Sequence, residues 1–210
     1  MIYLVGGPPR CGKTTLAEEL AKKHSIPYFS VDHLGSLISP YIPSAQQADA
    51  FPLAAARAKA GGGNDAFHAI HSPVEIADLY LRQAQTFWPG LQNFIRYALS
   101  DEHDLVLEGW QLLPRLLGTF HTHEQRERLA VIFLYKLDPA KIVAGLKSGA
   151  NDWVVRHTKE EKTFAAIAEM IACFGRYIES EAASHVFRAV NTESEFAQRL
   201  ADAEAWLASR

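Results

Sequence analysis

The sequence is poor in cysteine, in basic excess and in long apolar runs, and each shortage narrows what it can do. Two cysteines, Cys11 and Cys173, cannot build a disulfide framework, and no Cys-x-x-Cys pair offers metal-ligand spacing. Reduced thiols fit a cytoplasmic setting. Lys and Arg number 21 against 24 Asp and Glu, a net charge of −3. A protein that lives on a nucleic-acid backbone ordinarily shows the opposite balance, so nucleic acid is not an expected partner. No apolar run approaches the ~20 residues of a membrane-spanning helix, so no membrane is expected either. Met1-Ile2-Tyr3-Leu4-Val5 runs without a basic stretch into Gly6-Gly7, unlike a secretory signal. The histidines include no His-Glu-x-x-His, and no zinc site is expected.

Repeats, low-complexity tracts and linkers are missing too, so the chain reads as one domain over residues 1–210. That length buries ~70% of the surface its unfolded chain exposes. Five short apolar runs read as strands: Ile2–Val5, Ile26–Val31, Asp104–Gly109, Leu129–Tyr135 and His185–Val190. Helical patterns fill the intervals: Thr14–Lys23, Gln46–Lys59 interrupted by Pro52, Ser72 to about Thr86, Leu91–Ser100, Pro139–Lys147, Phe164–Glu181 and Glu195–Ala208. Ser72-Pro73-Val74-Glu75 and Thr192-Glu193-Ser194-Glu195 carry the spacing of a capping box. Strands alternating with helices predict an α/β fold, a parallel sheet covered on both faces.

Gly7-Pro8-Pro9-Arg10-Cys11-Gly12-Lys13-Thr14 fits G-x-x-x-x-G-K-[ST], and it sits between an apolar strand and an amphipathic helix, the context this motif requires. Backbone N–H groups of such a loop, from Gly7, Arg10, Cys11 and Gly12 through Lys13, Thr14 and Thr15, point at phosphate oxygens, while Pro8 and Pro9, which have no N–H, contribute shape alone. Lys13 adds a point charge for the β- and γ-phosphates, and the Thr14 hydroxyl is a Mg²⁺ ligand. The expected ligand is therefore a nucleotide phosphate chain with Mg²⁺. Arg10 reaches either phosphate or solvent. Cys11 is either a small filler or a thiol activated by the helix N-terminus.

In open α/β sheets, ligands bind beyond the carboxyl ends of the strands. Two acids stand there: Asp32 after the second strand and Glu108 at the end of the third. Asp32 reads either as a helix cap or as a base for an acceptor hydroxyl. Glu108 reads as a solvated strand end, a base or a support for the metal.

These segments resemble a known group. Leu4 through Ala17, with Ile26-Pro27 and Ser30-Val31-Asp32, is similar to the start of 2-phosphoglycerate kinase and related proteins. Leu105 through Pro114 resembles that family's E-G-x-x-x-x-P segment, with Gln111 standing where that segment has a His. The wider group of small P-loop kinases takes in shikimate and gluconate kinases, zeta toxins and chloramphenicol phosphotransferase. The likeness covers the core strands and their loops, about half the chain.

The resemblance implies a five-stranded parallel sheet in the order 2-3-1-4-5, transfer of the ATP γ-phosphate to a small-molecule hydroxyl, and Asp32 as base. It implies a lid over residues 147–160, which holds Lys147 and Arg156 as charges that close over the transfer. It sets Asn191 and Thr192 near the adenine. It also makes residues 33–103 an acceptor-binding helical insertion, where Arg57, Lys59, Arg82 and Arg96, with Arg115 farther on, are candidates to meet an anionic acceptor. Phe87, Trp88, Phe94 and Tyr97 in that insertion have helical spacing and read as core. The expected activity is a Mg²⁺-dependent ATP phosphotransferase acting on a small metabolite. Two rivals stay open: a P-loop ATPase or switch acting on a protein partner, and a zeta-toxin-like kinase of a sugar nucleotide.

Overall fold

The computed structural model describes residues 1–120, 127–147 and 153–210. Five strands, β1 (Ile2–Gly6), β2 (Tyr28–Ser30), β3 (Leu105–Gly109), β4 (Leu129–Tyr135) and β5 (Arg188–Asn191), form one sheet in the order β2-β3-β1-β4-β5. Every neighbouring pair is parallel. The central strand has no polar side chain but Tyr3 and is buried throughout, because helices cover both faces of a parallel sheet. Gly6 is level with Gly109 of β3 and with Phe133 of β4, so β1 and β3 end together and β4 runs on two residues to Tyr135.

The described helices are α1 (Lys13–His24), α2 (Leu34–Ile38), α3 (Gln47–Ala50), α4 (Pro52–Lys59), α5 (Asn64–Ile70), α6 (Pro73–Ser100), α7 (Pro114–Leu117), α8 (Pro139–Lys147), α9 (Trp153–Arg156), α10 (Glu161–Ser184) and α11 (Phe196–Ala208). Helices α2 to α6 lie between β2 and β3, where the sequence predicts an insertion. Helix α10 packs against both α6 and α8, which ties that insertion to the rest of the core. Among the described residues no helix is long and apolar enough to cross a membrane.

Several local expectations need correction. The two helices expected over Ser72–Thr86 and Leu91–Ser100 are one helix that carries Pro89 inside it. Its capping box is formed: the Ser72 N–H donates to the Glu75 carboxylate at 2.7 Å and the Glu75 N–H to the Ser72 hydroxyl at 3.3 Å. The apolar stripe through Phe87, Trp88, Leu91 and Ile95 is buried across the proline, and that burial outweighs one lost backbone bond. Phe94 and Tyr97 fall off the stripe and are 44% and 72% exposed, so of the four aromatics only Phe87 and Trp88 are core.

Strand β5 starts later than expected because α10 runs on to Ser184 and the chain then turns through Val186 at φ 59°. The second capping box does not form. Glu195 occupies the N-cap of α11 in a left-handed conformation with no side-chain cap. Thr192 is buried and its hydroxyl donates to the Cys11 carbonyl at 3.0 Å. Glu193 accepts the N–H groups of Leu137 and Asp138. These side chains tie the exits of β4 and β5 to the glycine-rich loop.

Candidate active site

The loop between β1 and α1 owes its path to two glycines. A Cβ on Gly7 would lie 2.0 Å from the Leu134 carbonyl oxygen, and Gly7 has φ 133°. Gly12, at φ 94°, is the N-cap of α1, and a Cβ there would meet the Phe196 ring at 2.8 Å. Any other residue at either position is strained and has no room. The same loop holds Arg10 at φ 66°, a conformation uncommon for a side chain of this size.

A cavity of about 860 Å³ lies above this loop at the carboxyl ends of the strands. Pro9, Arg10, Gly12, Lys13, Thr14 and Thr15 form its floor, and Asp32 and Thr192 line it as well. Lys13 is 6% exposed and its Nζ donates to the Pro8 carbonyl at 2.9 Å. Gly7, Pro8 and Cys11 are buried beneath the floor. Burial pushes the Cys11 thiol up to about 11, against the opposing pull of Lys13, so this thiol is neutral at physiological pH. That favours a filling role over redox chemistry.

Asp32 lies in a short turn, Val31–His33, directly after β2, and the helix that follows has no side-chain cap. Burial is the main force raising its carboxyl pKa above 3.8. The Glu108 charge adds to the rise, while Lys13 and a hydrogen bond with Gln111 oppose it. Gln111 also donates to the Val31 carbonyl at 3.3 Å, which fixes this turn against β3.

Glu108 is 2% exposed and does not line the cavity. Its Oε1 accepts from Ser30 at 2.6 Å and from Tyr28 at 3.1 Å, while its Oε2 is buried without a hydrogen bond. It stands behind Asp32 as a second negative charge.

The other sequence candidates are dispersed. Asn191 accepts the Glu193 N–H and lines a separate cavity with Arg188 and Arg199. Arg82 pairs with Asp78 at 2.9 Å on the exposed side of α6. Arg115 is exposed on α7, and its charge acts on Tyr177. Arg156 is exposed and does not line the cavity. Lys147 pairs with Glu161. Ser148, Gly149, Ala150, Asn151 and Asp152 of the expected lid lie outside the described residues. Arg57 stands in a second cavity that adjoins the first at Tyr80.

Sequence reasoning missed part of the lining: Tyr80, Trp110, Lys136, Lys141 and Phe196. Lys136 has its pKa lowered, chiefly by burial, and its Nζ lies 5.4 Å from the centre of the Phe196 ring. Lys141 donates to the Ser194 hydroxyl at 3.1 Å. Only their place at the exit of β4 marks these lysines in sequence. Tyr80 and Trp110 meet edge to face with ring centres 4.9 Å apart, although 30 residues separate them.

The hard oxygen donors in this cavity include the exposed Thr14 hydroxyl and the Asp32 carboxylate, while the Glu193 carboxylate, which also lines it, accepts the N–H groups of Leu137 and Asp138. Few protein oxygens beside a phosphate site is the donor set Mg²⁺ takes, since it keeps most of its water and leans on substrate phosphates. The residues fit that ion.

Comparison with solved structures places the architecture. A gluconokinase from Sinorhizobium meliloti 1021 superposes with a TM-score of 0.54 at 14% identity, over 99% of this chain and 91% of that one. The fold is that of a P-loop kinase. A shikimate kinase from Bacteroides thetaiotaomicron superposes with a TM-score of 0.44 at 13% identity, over 100% of this chain and 97% of its own. A protein from Eubacterium ventriosum ATCC 27560 gives 0.48 at 14% identity, over 100% and 99%. The model of the ATPase family associated with various cellular activities (AAA) matches residues 3–62, the segment that contains the phosphate loop. No curated protein matches the chain by sequence. Within this P-loop kinase fold, helix α6 of the segment between β2 and β3 contributes Tyr80 to the cavity that Asp32 also lines.

Proposed function

We propose that the protein is an ATP-dependent phosphotransferase that moves the γ-phosphate to a hydroxyl of a small molecule. The observation that carries this reading is the shared cavity of Lys13, Thr14 and Asp32: a phosphate-binding cation, a hard metal ligand and a carboxylate face one space.

The loop N–H groups and the N-terminus of α1 bind the phosphates, and Lys13 exchanges the Pro8 carbonyl for phosphate oxygens. Arg10, Lys136 and Lys141 add positive charge along the rim. The Thr14 hydroxyl would hold Mg²⁺ and Asp32 would hold its water; when bound, the ion would neutralise charge on the β- and γ-phosphates. Asp32 orients the acceptor hydroxyl and takes its proton. Its raised pKa makes it a stronger base than an ordinary carboxylate. The acceptor oxygen forms a bond to the γ-phosphorus as the bond from that phosphorus to the bridging oxygen breaks, and ADP leaves. The Glu108 charge behind Asp32 favours proton uptake there. Arg156 is assigned a charge-balancing role on closure.

The test is transfer from γ-labelled ATP with Mg²⁺ into a pooled small-metabolite extract, with Lys13→Ala as control. A labelled small molecule that depends on Lys13 is expected. Label found only as inorganic phosphate would overturn the reading in favour of an ATPase.

A further inference from the structure

Strand β5 is one edge of the sheet, and among the described residues no strand lies beyond it. The Thr192 N–H donates to the Tyr135 carbonyl of β4 at 3.0 Å. Backbone groups alternate sides along a strand. Those of Val190 and Arg188 therefore also face β4, and the N–H and C=O groups of Ala189 and Asn191 face outward. Such an open edge is a template for another extended chain.

Helix α11 walls this edge. Arg199, Asp202 and Trp206 recur at intervals of three and four residues, so they share one face, and Arg210 continues that face just past the helix end. Two cavities lie between that face and β5. One, about 440 Å³, runs along Arg188–Asn191, and the other, about 610 Å³, lies over the start of β4; they meet at Arg188.

Most charges of this groove are already matched. Arg199 pairs with Glu195 at 3.4 Å, Asp202 accepts from Gln198 at 2.8 Å, and Glu193 is taken by the N–H groups of Leu137 and Asp138. Glu127, which lines the larger cavity, is itself partnered. Arg188 and Arg210 differ. Their guanidiniums lie over the Trp206 ring, 5.2 and 4.5 Å from its centre, and among the described residues neither has an ion pair. A guanidinium laid on an indole keeps its N–H edge for a carboxylate. Val186, at the turn into β5, lines the same cavity. It is 91% exposed and holds φ 59°, a conformation that β-branched residues seldom take. Cover by a partner would offset the exposure of its methyl groups.

We propose that the groove between β5 and α11 docks an extended acidic segment of a partner protein. The segment adds to the sheet beside β5 and sets carboxylates on Arg188 and Arg210. The outward backbone groups of Ala189 and Asn191 select an extended chain, and the two arginines select its charge. Lys13, Thr14 and Asp32 do not line this groove, so the proposal stands apart from the phosphotransferase reading.

The test uses the whole protein to select binders from a displayed library of random linear peptides. Enriched peptides are then synthesised with blocked ends. Acidic, proline-poor sequences are expected. Fluorescence anisotropy should show their Kd rising by roughly 10- to 100-fold in Arg188→Ser, an exposed position whose melting curve should match the wild type. Ala189→Pro removes one outward N–H, keeps the bonds to β4 and should also weaken binding. Hydrogen exchange needs no variant: bound peptide should slow the Ala189 and Asn191 amides and change the Val190 amide little. No enrichment, enrichment of basic or helical peptides, affinity unchanged in Arg188→Ser, or protection away from β5 would each overturn the proposal. Self-association of the protein that Arg188→Ser abolishes would assign the edge to a second copy and overturn it as well.

Discussion

Lys13 donates its ammonium to the Pro8 carbonyl at 2.9 Å, so the cation of the phosphate loop is held against the loop's own backbone. A buried ammonium whose hydrogen bond goes to a neutral carbonyl gains when an anion arrives. MgATP should therefore raise the melting temperature of the wild type and leave Lys13→Ala almost unmoved. Transfer in that variant should drop by about 100-fold or more. Equal melting shifts in the two proteins would contradict the role of Lys13.

Burial raises the Asp32 pKa above its ordinary 3.8, so the folded protein holds that proton more tightly than the unfolded chain does. The stability this proton confers is fully present below the ordinary value and is lost as pH rises through the folded one. Asp32→Asn should therefore melt higher than wild type at neutral pH, and the gap should close in acid. The transfer rate should have an acid limb above the usual carboxylate range. A pH series of melting curves and rates checks both, and no gap at neutral pH would contradict the burial argument.

Arg10 holds φ 66° in a loop where glycine would be at ease. Arg10→Gly should relieve about 1 kcal/mol, a rise of roughly 2–4 °C in melting temperature. Arg10→Ala keeps the strain and should show no such rise. Both variants should bind ATP more weakly, because the Arg10 side chain lines the phosphate cavity. Stabilisation with unchanged ATP affinity would show that the residue serves the loop alone.

Cys11 is wholly buried and its thiol pKa stands at about 11. Native-state alkylation at pH 8 should label Cys173, which is partly exposed, and spare Cys11 until the protein unfolds. Mass mapping after iodoacetamide treatment reads the two sites separately. Comparable rates at both would contradict the buried placement.

The strands were legible because parallel strands buried on both faces leave continuous apolar runs; Leu129–Tyr135 matches β4 residue for residue. Helix ends were less so. Pro89 looks like a break until the buried stripe on both sides of it is seen in place, and Thr192 looks like a cap until its hydroxyl is found on Cys11. In the candidate site, the phosphate loop and Asp32 were readable from local spacing. Tyr80, Trp110, Lys136 and Phe196 were not, since they meet only through packing between distant elements. Spacing could not separate Arg57 from Arg82 either: one is held among Asn64, Phe67 and Tyr80, and the other pairs with Asp78 in solvent.

The most direct test of the account compares ATP binding with phosphate transfer in Asp32→Asn, beside wild type and Lys13→Ala. Calorimetric titration with a non-hydrolysable ATP analogue reads binding, and label from γ-labelled ATP in an acceptor hydroxyl reads transfer. The account predicts that Asp32→Asn binds nucleotide nearly as the wild type does and transfers almost nothing, while Lys13→Ala loses both. Transfer at the wild-type rate by Asp32→Asn would contradict it.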